Sequence, residues 1–167
     1  MSSQIIKTKL LVPTVYPNLV PRSRLIEKIE EGLQLGHKLT LVAAPAGFGK
    51  TTAVSAWAHQ NQRQVAWLSL EEGDDEEALF WTYLLASIRT VLPNFAETIF
   101  AALSGTPPAS VNSLLPALVN DLTELSEALV LVLDDYHVIA NQEIHDSVSF
   151  LLEHQPQIVS LLGAVSI

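Results

Sequence analysis

The chain has 167 residues, 49% of them hydrophobic and 16% charged, with a mean hydropathy of +0.30. That is enough for one domain with a sizeable core, and no apolar run reaches the roughly 18 residues that cross a bilayer. The net charge of −9 argues against a basic face for gripping nucleic acid, and the lack of cysteine excludes disulfides and thiol chemistry.

Residues 1–9 are polar and lack the apolar core of a signal peptide, so a cytoplasmic location is expected. Residues 4–20 carry Ile5, Ile6, Leu10, Leu11 and Val12, followed by Pro13, Pro17 and Pro21. This reads as a short extended arm and a loop. Pro21 suits a helix start, Leu25, Ile26, Ile29 and Leu33 repeat at helical spacing, and Gly36 closes the helix.

A strand follows over 38–43, then a glycine loop, then a helix over 49–60. Gln64 to Leu70 reads as a second strand. The acidic run 71–77 reads as a solvated loop whose carboxylates favour the next helix N-terminus, the alternative being a contact surface for a basic partner. Helices are expected at 76–91, 94–104 and 110–126, a strand at 128–133, a helix at 141–154 and an apolar strand in 157–167. Trp57, Trp67 and Trp81 read as packing residues. No pair of the five histidines has metal-ligand spacing, and His137 alone is close enough to a candidate site to merit a test.

Two stretches carry chemistry. Ala44-Pro45-Ala46-Gly47-Phe48-Gly49-Lys50-Thr51 has the pattern of a phosphate-binding loop, set between a strand and a helix as that motif requires. Gly47 and Gly49 let backbone N–H groups turn toward phosphate, and the helix N-terminus adds its positive dipole end. Lys50 supplies a compact charge for the β- and γ-phosphates, and the Thr51 hydroxyl can ligate Mg²⁺. Candidate nucleotide-binding residues are therefore Ala46, Gly47, Phe48, Gly49, Lys50, Thr51 and Thr52.

The second stretch is Ala128-Leu129-Val130-Leu131-Val132-Leu133-Asp134-Asp135, an apolar strand that ends in two carboxylates. Parallel strands bind ligands at this carboxyl edge. Asp134 is the candidate Mg²⁺ ligand with Thr51, and Asp135 the candidate catalytic residue orienting a water. The expected ligand is ATP or ADP with Mg²⁺; an Asn-Lys-x-Asp guanine signature does not occur. The expected fold is an α/β P-loop NTPase three-layer sandwich with a mostly parallel sheet. Residues 1–36 form an arm and helix, and 37–167 the core.

Beyond these motifs, Thr8-Lys9-Leu10, Leu19-Val20-Pro21-Arg22, Pro45-Ala46-Gly47-Phe48-Gly49-Lys50-Thr51-Thr52, Val65-Ala66-Trp67-Leu68-Ser69-Leu70 and Leu133-Asp134-Asp135-Tyr136-His137 share the wording of one family. The chain, from about residue 8 to 156, resembles the N-terminal ATPase module of the MalT-like large ATP-binding LuxR-family transcriptional regulators, in the STAND class of P-loop ATPases. The resemblance implies an ADP/ATP switch in signal transduction, with ATP-dependent self-association of the full-length protein and DNA binding only in a downstream domain. It puts Arg22 beside the adenine and implies the strand order 5-1-4-3-2. The residue 157–167 strand would then be strand four, the sandwich would be incomplete at its C-terminus for want of strand five, and strand one would be an exposed edge in a marginal, aggregation-prone fragment. The tail departs from the family's closing Thr-Arg pair, so a truncated or frame-shifted reading frame is expected. Slow ATP hydrolysis is compatible with these residues. A stand-alone small ATPase or kinase, and a remnant that no longer functions, are the other readings.

Overall fold

The computed structural model describes residues 4–167; the first three residues of the predicted arm lie outside that range. Four strands, β1 (Leu39–Ala44), β2 (Gln64–Ser69), β3 (Leu129–Asp134) and β4 (Val159–Ser166), form one parallel sheet in the order β1-β4-β3-β2. Helices α1 (Ser23–Gln34) and α2 (Lys50–Gln60) cover one face. The other face is covered by α3 (Glu77–Arg89), α4 (Glu97–Leu103), α5 (Val111–Thr123) and α6 (Gln142–His154). This is the predicted three-layer α/β sandwich, with the strand from the tail lying between β1 and β3.

Burial explains the layers. Every residue of β3 is buried, as a central strand requires. Because side chains alternate along a strand, Leu129, Leu131 and Leu133 join the core under α3, α5 and α6, while Val130 and Val132 join Ile29, Val54, Trp57 and Trp67 under α1 and α2. The three tryptophans are each 1% exposed and are packing residues. Gly36, at φ 74°, ends α1 in a paired turn: Gly36 N–H donates to Leu33 O and His37 N–H to Gly32 O.

Among the described residues β1 pairs with β4 alone and forms one edge of the sheet. On its outer face Leu39 and Leu41 are 38% and 57% exposed. Leu41 lies over Gly163, its register partner, where a Cβ would meet Leu41 Cδ2 at 2.9 Å.

Two sequence expectations need correction. The arm is not extended throughout, because Lys7–Leu10 is a 3-10 turn. Nor is the acidic run simply a solvated loop. Glu76 does cap α3, accepting from Ala78 N–H and Leu79 N–H, but Asp74 is 3% exposed and paired with the equally buried Lys9 at 2.6 Å. Asp74 also accepts from Glu71 N–H, and the Lys9 ammonium lies 4.6 Å from the Tyr83 ring centre. Both corrections have one cause: an ion pair across 65 positions curls the arm and draws the acidic loop inward.

Candidate functional site

The glycine loop leaves β1 at the carboxyl edge of the sheet and enters α2. Gly47 and Gly49 adopt φ of 84° and 74°, a region where side chains are strained. Ala46, Gly47 and Phe48 lie exposed on the loop, and Gly49 stands at the N-cap of α2. The Arg22 guanidinium covers Gly49, and a Cβ there would lie 3.5 Å from Arg22 Nη2. Beside them opens a cavity of about 580 Å³, lined in part by Tyr16, Val20, Arg22, Gly49 and Thr52. A larger groove of about 830 Å³ lies at the other edge of the sheet, where Glu30 and Arg63 are engaged with each other. It adjoins the first cavity at Ile26 and Gln60, and no residue of the glycine loop lines it.

Lys50 begins α2 and is 8% exposed. Its ammonium donates to Ala44 O at 2.8 Å, Pro45 O at 3.1 Å and Ser166 Oγ at 3.1 Å. Next to it, Thr51 Oγ1 donates to Asp134 Oδ1 at 2.9 Å and Oδ2 at 3.0 Å. Asp134 closes β3 and is 3% exposed. Burial pushes its carboxyl above the ordinary value and the neighbouring Asp135 pushes the same way, against the Thr51 hydrogen bond and Lys50.

Asp135 follows in a left-handed conformation, φ 59°, and turns the chain into the short helix Tyr136–Val138. That turn brings His137 back toward the end of β4, where its Nδ1 accepts from Ser166 N–H at 3.1 Å. Two sets of contacts, Lys50–Ser166–His137 and Thr51–Asp134, thus lie side by side at the sheet's carboxyl edge, joined through the consecutive residues Lys50 and Thr51. Gly49 and Arg22 border the adjoining cavity, and Ala46, Gly47 and Phe48 contribute backbone to the loop. Ser166 is absent from the sequence-derived candidates. The available signal was a hydroxyl closing an apolar strand that ends at the ligand-binding edge.

The donor set can be tested against Mg²⁺. Among the described residues no cluster of three or more His, Asp, Glu or Cys could hold a metal alone. Mg²⁺ takes one or two protein oxygens and completes its shell with phosphate and water, and a buried carboxylate bonded to a threonine hydroxyl fits that demand. No described helix is long and apolar enough to cross a membrane.

No protein-family model matches the chain. The chain is 37% identical over 158 residues to the HTH-type transcriptional regulator MalT from each of two strains of Klebsiella pneumoniae. These alignments cover 95% of this chain and 17% of each regulator, so the chain spans about a sixth of the length of these curated relatives. Among solved structures, Cdc6p from Pyrobaculum aerophilum superposes with a TM-score of 0.58 at 16% identity, covering 98% of this chain and 43% of that one. C. elegans PCH-2 gives 0.51 at 12% identity, covering 93% and 41%. At these identities the two structures speak to the fold alone. The chain is homologous to the N-terminal part of the MalT regulators and has the P-loop NTPase fold.

Proposed function

We propose that this chain is an ATP/ADP-binding switch module, the N-terminal part of a LuxR-family, MalT-like transcriptional regulator. One observation carries the reading. The two stretches that the sequence marks as phosphate loop and acidic strand end are joined by the Thr51–Asp134 hydrogen bond, beside a cavity wide enough for a nucleoside. Homology to MalT supports the regulatory half of the proposal.

In this reading the backbone of residues 46–49 and the α2 N-terminus cradle the phosphates, with Thr52 in the first turn. Lys50 exchanges carbonyl partners for the β- and γ-phosphates. Thr51 and Asp134 hold Mg²⁺, which when bound neutralises phosphate charge. Asp135, one position past the strand end, orients a water for slow hydrolysis. Arg22 and the residue 15–21 segment flank the adenine. DNA binding and ATP-dependent self-association belong to the longer regulator.

Titration of labelled ATP with Mg²⁺ is the test. Wild type binds, and Lys50→Ala binds at least about ten-fold more weakly, as expected for loss of a charge-assisted contact to phosphate. Equal binding by the two proteins rejects the nucleotide site.

A further inference from the structure

β4 is held unequally at its carboxyl end. On one side its ladder with β1 runs through Ser166, which faces Ala44. On the other side the ladder with β3 stops at Gly163, because β3 ends at Asp134 and the left-handed Asp135 turns the chain away. The Ser166 N–H on that side has no strand partner. His137 supplies one: Ser166 N–H donates to His137 Nδ1 at 3.1 Å.

Ser166 is also a partner of Lys50. An ammonium has three hydrogens, and Lys50 offers them to Ala44 O, Pro45 O and Ser166 Oγ. Two of these acceptors are backbone groups fixed by β1 and the glycine loop. The third is a side chain whose position depends on where the last residue of β4 is held. A lysine side chain is rich in rotamers, and ordering it at the moment of binding weakens binding.

We propose that His137 is a positioning residue for the phosphate lysine. It fixes the Ser166 backbone and thereby keeps Ser166 Oγ in place as the third acceptor of Lys50, so the ammonium is ordered before a nucleotide arrives. This rests on the nucleotide-site reading above. The role belongs to the Nδ1 acceptor and not to the ring's bulk. Asparagine, whose Oδ1 can occupy the same place, substitutes for it, whereas phenylalanine does not.

The test combines spectroscopy and binding on the 167-residue chain. In the nucleotide-free protein, imidazole ¹⁵N spectra place the His137 proton on Nε2 with Nδ1 bare, and the Ser166 amide exchanges slowly. Both signatures are independent of nucleotide. In Mg·ATP titrations His137→Phe and Ser166→Ala each bind about five-fold more weakly than wild type, the scale of one side chain left to be ordered on binding. The double variant binds no more weakly than either, because both changes cut one relay. His137→Asn binds like wild type. The relay is overturned if His137→Phe matches wild type, if His137→Asn is as weak as His137→Phe, if the two effects multiply, or if the Nδ1 proton is present. A different outcome, wild type binding no tighter than Lys50→Ala, rejects the nucleotide reading first and the proposal with it.

Discussion

The Thr51 hydroxyl donates to both oxygens of the Asp134 carboxylate, at 2.9 and 3.0 Å, and joins the first turn of α2 to the end of β3 across 83 positions. Among the described residues it is the one side-chain donor bonded to this buried carboxylate. Thr51→Ala leaves Asp134 without it and destabilises the nucleotide-free protein by about 1–3 kcal/mol, measurable by urea unfolding. Thr51→Ser keeps the hydroxyl and stays within about 0.5 kcal/mol of wild type. If Thr51 also ligates Mg²⁺, the enhancement of ATP binding by Mg²⁺ over EDTA falls about ten-fold in Thr51→Ala and survives in Thr51→Ser.

Asp134 makes the stability of the free protein depend on pH. Its folded carboxyl titrates above the ordinary value of 3.8, chiefly because it is buried. Below pH 3.8 both folded and unfolded states hold the proton, and the contribution to stability is fully present. As pH rises from there through the folded value, the unfolded state ionises first and the contribution is lost. Asp134→Asn removes the charge and keeps an acceptor for Thr51. Its expected melting temperature without nucleotide is therefore above that of wild type at neutral pH, with the difference closing as pH falls toward 3.8. A lower melting temperature for Asp134→Asn at pH 7 contradicts this account.

Lys9 and Asp74 are 6% and 3% exposed. Removing one partner of a buried pair strands the other charge. Lys9→Met is expected to cost about 3–5 kcal/mol in chemical denaturation, far more than a surface ion pair. Asp74→Asn keeps the acceptor for Glu71 N–H but still loses most of this energy. If Lys9→Met costs less than about 1 kcal/mol, the pair does not anchor the arm.

Much of this architecture was legible in local patterns. The Lys50-Thr51 loop, the Asp134-Asp135 strand end and the helical stripe of α5 are each written in consecutive or regularly spaced residues. The four-strand order came from family resemblance, since no spacing rule states that the tail inserts between β1 and β3. Contacts made across long separations were not legible. The acidic run looked solvated because the partner of Asp74 lies 65 positions upstream, and Lys9 sits in an arm with no pattern of its own. Ser166 was missed for the same reason: its contacts with Lys50 and His137 span 116 and 29 positions.

β1 is an edge strand with Leu39 and Leu41 on one exposed face, and such edges recruit other strands. Leu41→Lys is expected to lower concentration-dependent light scattering. The lysine stem can still cover Gly163 while its ammonium stays in water, so stability shifts by less than about 0.5 kcal/mol. Unchanged scattering in Leu41→Lys contradicts association through this edge.

Glu30, midway along α1, accepts from the Trp57 indole at 2.6 Å and from Arg63 Nη1 at 3.0 and 2.8 Å. Helix α1 is thereby riveted to α2 and to the segment entering β2, well away from Arg22. Eight residues of helix place Arg22 about 12 Å from that rivet. The cavity wall contributed by residues 15–21 leads into a helix that is anchored at Glu30. If the cavity takes a nucleobase as proposed, exchanging residues 15–21 changes which base it accepts while the anchor of α1 at Glu30 stays in place.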